Sequence, residues 1–314
     1  MQNVSRQQHA SGRNHMTHNN EEKSLRGIMK HDEPMSRHSS WHVGGPADRF
    51  YIPADVDDLC LFLSRLSEDE PLIWIGLGSN VLVRDGGIRG TVVCVKNVLN
   101  EFTVIAPGRL RVGAGLPCAK VARFAVKSGL AGADFLAGIP GTMGGALAMN
   151  AGAFGGETWD IVVAVETVNR RGERFLRDKA DYRIGYRSVQ PPAEEWFISA
   201  ELHLREHRDG ASGNNIRELL ARRAQTQPLG EASCGSVFRN PEGDHAARLI
   251  EASGLKGRQV GKAYVSDKHA NFIINPNGAS AADIEELIML VKDTVKARQG
   301  VLLQEEVKII GDRT

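Results

Sequence analysis

The chain lacks a surplus of charge. Its 314 residues carry 39 Lys and Arg against 38 Asp and Glu, a net charge of +1, whereas a nucleic-acid footprint needs a basic excess. Aromatics are scarce at 6%, so a platform for stacking bases is not expected either. No run approaches the roughly 18 uninterrupted apolar residues of a membrane span. The polar stretch before Val43 holds six Lys/Arg, four Asp/Glu and six of the ten His, without the apolar core of a secretion signal. Cys60, Cys94, Cys118 and Cys234 form neither a CxxC pair nor a short disulfide framework, which predicts four free thiols in a cytoplasmic protein. The amino-terminal histidines are irregularly spaced, so no metal site is expected. Residues 1–35 offer too little apolar surface to offset the entropy of ordering and are expected to form a disordered polar tail. Nothing points to an obligatory protein partner.

What the chain has in excess is glycine, 34 residues or roughly 11% against a usual share of about 7%. Its length, about twice that of a typical domain, predicts two domains or one large composite. A helix is predicted from Ser280, an N-cap with Asp283 three residues on. It carries Ile284, Leu287, Ile288, Val291 and Val295 at helical spacing and stops at Gly300. Others start near Asp55 and span Ala119 to Ser128. Short β-branched runs between glycines predict strands at 72–75, 81–84, 91–95, 102–106 and 110–112, and later at 161–168, 173–176, 196–204 and 271–274. Many short strands with few helices, not strictly alternating, indicate an α+β fold. The polar stretch from His207 to Asn214 is expected to be a domain boundary.

Two glycine-rich segments invite ligands. Gly76-Leu77-Gly78-Ser79-Asn80-Val81 follows an apolar run as a dinucleotide-binding loop would. However, Val81 stands where that loop needs a small residue opening a helix, and Val81-Leu82-Val83 continues as a strand. The segment is either a structural turn or a cradle whose backbone N–H groups converge on a pyrophosphate, with Ser79 and Asn80 adding donors. From Gly129 to Gly156 there are nine glycines, with Asp134 the one charge between Lys127 and Glu157. Phe135, Leu136, Ile139, Met143, Leu147, Met149 and Phe154 exclude a flexible linker. Either the backbone approaches something flat and uncharged, such as an isoalloxazine ring, or the glycines form a packing seam between sheets.

The strings VGGPAD at 43–48, GLGSNVLVRDGGIRG at 76–90 and FLAGIPGTMGGALAMNAGAFGGE at 135–157 resemble the flavin-binding half of UDP-N-acetylenolpyruvoylglucosamine reductases. GYRS at 185–188, CGSVFRNP at 234–241, AARLIEASGLKG at 246–257, VSDKHANFIIN at 265–275 and LLQEEVKIIG at 302–311 extend the match from about Arg37 to Gly311. The resemblance implies a vanillyl-alcohol-oxidase-type (PCMH) FAD-binding domain over 36–207, with two lobes split near 100. An α+β substrate-binding domain over 208–314 would follow. It implies non-covalent FAD, NADPH as co-substrate, and reduction of UDP-N-acetylglucosamine enolpyruvate to UDP-N-acetylmuramate for peptidoglycan. With no tyrosine between Ser188 and Gly235, the chain resembles the shorter branch, which lacks a tyrosine-bearing insertion. Trp41-His42 stands where the family has Tyr, Phe or Arg-type residues, at an edge of the flavin pocket.

In that family, hydride from flavin N5 adds to the terminal vinyl carbon and leaves carbanion character beside a carboxylate. A cation, a proton donor and a polarising acid are then required. By resemblance Ser236 is the proton donor, while Arg187 and Glu306 stabilise the developing charge. Taken singly, these read as a turn serine, a surface ion-pair partner and a solvated strand-face acid. If a strand runs through 305–306, Glu305 faces away from Glu306. Resemblance assigns the cofactor to Gly76, Gly78, Ser79, Asn80, Val81, Gly113, Ile139, Pro140, Gly141, Gly144, Gly145, Asn150, Gly152 and Ala153. It assigns the substrate to Tyr186, Arg239, Asn240, Lys268 and His269, the cations among them suiting a diphosphate. Two other classes compete. A sugar or alcohol oxidase on the same scaffold often carries a flavin-linking histidine, and no histidine lies between His42 and His203. A non-catalytic nucleotide-binding protein would purify without flavin absorbance.

Overall fold

The computed structural model describes residues 24–206 and 211–314, the side chains of 211–214 excepted. Two sheets carry the front of the chain. In the first the strands lie in the order Ile28–Pro34, Pro46–Ile52, Ile88–Cys94, Leu72–Ile75, the first pair antiparallel and the other pairs parallel. The second is antiparallel throughout, in the order Arg174–Asp178, Val162–Asn169, Glu195–His203, Arg109–Gly113, Phe102–Ala106. A small third sheet, Gln259–Val260, Ala263–Val265 and Ile273–Ile274, belongs to the carboxy-terminal part. The helices are α1 (Val56–Ser64), α2 (Cys118–Lys127), α3 (Met143–Met149), α4 (Thr158–Ile161), α5 (Ala211–Thr226), α6 (Ala246–Ala252) and α7 (Ala281–Gln299). The result is an α+β fold with four buried apolar clusters among the described residues, one of which joins the two front sheets through Tyr51, Val93, Val168 and Ile198.

α7 forms where its periodicity places it. Ser280 and Asp283 make reciprocal N-terminal capping bonds, and Gly300 ends the helix at φ 72°. Ile284, Leu287, Ile288, Val291 and Val295 are fully or almost fully buried, each contributing about 1.5–3 kcal/mol of apolar burial. Their core also takes in Trp41, Val43 and Leu82 from the front of the chain. Trp41 is fully buried there, donating from Nε1 to the Ile273 carbonyl at 2.7 Å and accepting at its own carbonyl from Asn275. It is a rivet between the amino-terminal segment and the carboxy-terminal core, which corrects its expected place at the flavin-pocket edge.

Two expected boundaries also move. Of the tail expected to be disordered, residues 1–23 lie outside the described residues, but Ile28–Pro34 is a strand and Met35 is fully buried. An edge strand exposed on most of its length is held by its backbone ladder and needs no apolar pattern. The boundary at 207–214 falls partly outside the described residues, and α5 begins at Ala211. Ile216 and Leu220 of α5 pack into the core of the second sheet, so α5 belongs with the front lobe and the carboxy-terminal unit begins after it. That unit returns to the front at its end, where Lys308–Ile310 pairs in parallel with Val81–Val83. Among the described residues no helix is long and apolar enough to cross a membrane.

Candidate active site

Where the lobes meet, a cavity of about 610 Å³ opens. The loop after Leu72–Ile75 gives it Gly76, Gly78, Ser79, Asn80 and Val81. The segment around α3 gives Ile139, Pro140, Gly141, Gly145, Gly152 and Ala153. Arg187, Ser236 and Glu306, far apart in sequence, line the same cavity.

Backbone pairing explains how they come together. Glu306 N donates to the Val237 carbonyl at 2.8 Å, Arg239 N donates to the Gln304 carbonyl at 2.9 Å, and Phe238 bridges Glu305. The two segments therefore run side by side and present Ser236 and Glu306 to one space. Cys234 anchors the first segment by donating its thiol to the carbonyls of Gly78 and Val81, at 3.5 and 3.4 Å. Burial pushes this thiol up to about 12, so it is a buried tether rather than a nucleophile. Asn80 anchors the second, donating from Nδ2 to the Glu306 carbonyl at 3.1 Å. Glu305 points away and accepts from Lys292 on α7 at 2.6 Å, although 305–306 form no strand and Glu305 makes only an isolated bridge to Phe238.

Arg187 sits with Tyr186 at the tip of the hairpin Arg183–Gly185/Ser188–Gln190, in the left-handed region at φ 51°. Its Nε donates to Glu306 Oε1 at 3.1 Å, Nη1 to the Asn150 carbonyl at 3.2 Å, and Nη2 to the Gly152 carbonyl at 3.0 Å. A guanidinium has five N–H donors. These three bonds leave one hydrogen on each terminal nitrogen for a ligand. Burial raises the pKa of Glu306, against the lowering effect of the Arg187 and Arg239 charges. Its carboxyl can therefore hold a proton more readily than a solvated glutamate. The Ser236 hydroxyl makes no hydrogen bond among the described residues, so its proton is not committed to the protein.

Other expected residues lie outside the cavity wall. Gly113 abuts the Leu99 carbonyl, and Gly144 packs on Ala114. Asn150 is almost fully buried with its amide bonded to protein groups. Asn240 accepts from Ala246 N at the start of α6, Lys268 donates to the Ala224 carbonyl of α5, and His269 accepts from Asn271 N while its ring meets Phe272 edge-on. Tyr186 is 47% exposed, its ring 4.9 Å from the Arg187 guanidinium carbon. Arg239 keeps a buried Nε with no partner among the described residues.

Sequence reasoning missed Arg223, Gln227 and Lys308, which line the cavity. Arg223 is bonded to Gln227 Oε1 at 2.8 Å, and burial lowers its pKa. A half-buried guanidinium with a neutral partner is the available signal, and a polar helix outside the matching strings hid it.

The cavity wall fits a flat ring system. A Cβ on Gly141 would come no nearer than 3.6 Å to Ser79 Oγ, and one on Gly145 no nearer than 3.7 Å to Thr142 Oγ1. Neither packing nor dihedral angle demands glycine there; the missing side chains leave a cradle. Among the described residues no three His, Cys, Asp or Glu side chains converge as a metal cluster.

Comparison with known proteins agrees with this geometry. Residues 47–175 match the FAD binding domain family, and residues 227–310 match the family described as UDP-N-acetylenolpyruvoylglucosamine reductase, C-terminal domain. The UDP-N-acetylenolpyruvoylglucosamine reductase of Methylococcus capsulatus is 59% identical over 91% of this chain and 94% of its own. That of Coxiella burnetii is 50% identical over 91% of this chain and 97% of its own. The crystal structure of the Thermus caldophilus reductase aligns with a TM-score of 0.78 at 30% identity, covering 91% of this chain and 99% of that one. The chain therefore belongs to the UDP-N-acetylenolpyruvoylglucosamine reductase family.

Proposed function

We propose that this protein reduces the enolpyruvyl ether of UDP-N-acetylglucosamine to the lactyl ether of UDP-N-acetylmuramate, a step in making peptidoglycan precursors, with NADPH as reductant. The observation that carries the reading is the meeting of Ser236, Arg187 and Glu306 in one glycine-walled cavity. The cradle at Gly141 and Gly145, with the 76–81 loop beside it, would hold FAD. The chemistry FAD would supply there is two-electron transfer from NADPH to the substrate double bond.

The net change adds a hydride to the terminal vinyl carbon and a proton to the neighbouring carbon, which bears the ether oxygen and the carboxylate. NADPH becomes NADP⁺. Ser236 supplies the proton and regains one from water. A serine is a weak acid, so this transfer needs a strongly basic acceptor, the carbanion left by hydride addition, and a site that the bound ligands close to water. The two uncommitted Arg187 hydrogens bind the substrate carboxylate as it gains negative charge. Glu306, its pKa raised by burial, offers a proton to the same carboxylate. The Arg187 Nε–H donates to Glu306 Oε1 at 3.1 Å, a bond the carboxyl accepts whether or not it holds a proton. Arg187 and Glu306 therefore also hold each other in place. We assign Arg223 and Lys308, which line the cavity, to the diphosphate charge of a bound nucleotide, in place of Asn240, Lys268 and His269, which lie outside its wall.

Ser236→Ala tests the reading. The variant should retain flavin, and NADPH should reduce it near the wild-type rate. Reoxidation by the enolpyruvyl substrate should slow by on the order of 10²–10⁴-fold, the usual worth of a positioned acid. Equal slowing of both half-reactions would remove Ser236 from the proton-transfer step.

A further inference from the structure

We propose that Asn150 is a positioning residue that fixes the Arg187 guanidinium for the substrate carboxylate and makes no contact with the cofactor; this rests on the role of Arg187 given above. Asn150 ends α3 in the left-handed region at φ 48° and is 1% exposed. Its side chain is fully used. Nδ2 donates to Glu157 Oε2 at 2.7 Å and to the Gly185 carbonyl at 3.1 Å, and Oδ1 accepts from Trp159 N at 3.1 Å. With both amide hydrogens committed inside the protein and the residue 1% exposed, its side chain has no donor to offer a bound flavin.

Those partners surround Arg187. Gly185 closes the hairpin that carries Arg187 at its tip, so the Asn150–Gly185 bond sets where that tip begins. Glu157 Oε1 lies 3.8 Å from Arg187 Nη1, so the amide holds in place the carboxylate that faces the guanidinium. The Asn150 backbone carbonyl itself accepts from Nη1, and the left-handed conformation aims it there. One residue thus fixes the hairpin, the counter-charge and a direct acceptor. Asparagine is among the few residues with a side chain that adopt this backbone conformation readily. Glycine tolerates the conformation but provides no amide.

A double-variant cycle tests the proposal on the holoenzyme. Asn150→Gly keeps the left-handed backbone, and Asn150→Asp keeps the acceptor while losing both donors. Each should retain wild-type flavin content by absorbance and be reduced by NADPH within about twofold of wild type. Reoxidation by the enolpyruvyl substrate should slow about 10- to 100-fold, as expected when a reacting group is misplaced by about 1 Å. The effect should be non-additive: Asn150→Gly/Arg187→Ala should be no slower than Arg187→Ala alone. Thermal unfolding of both single variants reports any general loss of fold. Loss of flavin, equal slowing of both half-reactions, or additive effects in the double variant would overturn the proposal. If Arg187→Ala alone leaves reoxidation unchanged, the assigned role of Arg187 fails, and the positioning role with it.

Discussion

Gly78 lies at φ 63°, and a Cβ there would overlap the His38 carbonyl oxygen. Gly145, on the same cavity wall, sits inside α3, where a Cβ would meet Thr142 Oγ1 at an unstrained 3.7 Å. The two positions should respond oppositely to substitution. Gly78→Ala forces a left-handed residue into backbone and should lower the melting temperature. Gly145→Ala should leave the apo-protein as stable or more so, because alanine in a helix interior gains about 0.5–1 kcal/mol over glycine. Gly145→Val, reaching further into the cradle, should lose flavin during purification while the apo-chain still unfolds cooperatively. Absorbance near the flavin bands, read beside thermal unfolding, checks both. Full flavin occupancy in Gly145→Val would take this wall out of the cofactor site. The same logic explains why a run of glycines could be noticed in the sequence but not sorted. Composition records that side chains are missing, and only the neighbours reveal whether backbone or empty space lies in their place.

Among the helices, α7 shows what periodicity and caps can specify, and where they stop. Its start uses two devices. Ser280 Oγ accepts from Asp283 N at 3.0 Å, and the Asp85 carboxylate, on the front lobe, accepts from Ala281 N and Ala282 N at 3.0 and 2.9 Å. Ser280→Ala should cost about 1 kcal/mol, the ordinary worth of an N-cap, measured by urea unfolding. Asp85→Ala removes two bonds to helix amides and a tie between lobes, and should cost more. The Ser280 cap was legible because it is local. The Asp85 cap was not, since its partners are some two hundred positions away in the sequence. α5 was missed for another reason: Gly213, Asn214 and Asn215 near its start read as a linker, and only a few apolar residues, among them Ile216 and Leu220, mark its packed face. The strand Ile28–Pro34 was missed because most of it is an exposed edge and its one buried charge, Glu33, is matched by Lys30 and His38 only in the fold. Of the candidate site, the glycine loops and Arg187, Ser236 and Glu306 could be found through motif resemblance, while Arg223 and Lys308 became visible only when folding brought them to the cavity.

For the molecule as a whole, the front lobe and the carboxy-terminal unit are joined by charge as well as by strand pairing. Arg84, next to the strand Val81–Val83, donates from Nε and Nη2 to both carboxylate oxygens of Glu285 on α7, at 2.8 and 2.9 Å, and Arg313 adds a third bond at 2.8 Å. Hydrogen bonding to Arg84 first, and Arg313 after it, holds the Glu285 carboxyl at about 2, down from 4.5. A depressed carboxylate contributes its full stability above the unfolded-state pKa and loses it as pH falls toward the folded-state value. The lock should therefore be complete at neutral pH and weaken progressively from pH 4.5 down to about 2. With Arg313 largely exposed, the contribution is on the order of 2 kcal/mol. Glu285→Gln should lower neutral-pH stability by about that amount, and its denaturation curve should converge on wild type as pH approaches 2. Added salt should narrow the gap, because an ion pair near the surface is partly screened. Since the lock lies beside the strand that leads from Asn80, its loss should also release flavin at lower denaturant than in wild type. A wild-type and Glu285→Gln pair whose stability difference does not change with pH would show that packing and strand pairing, not this ion triad, hold the two halves together.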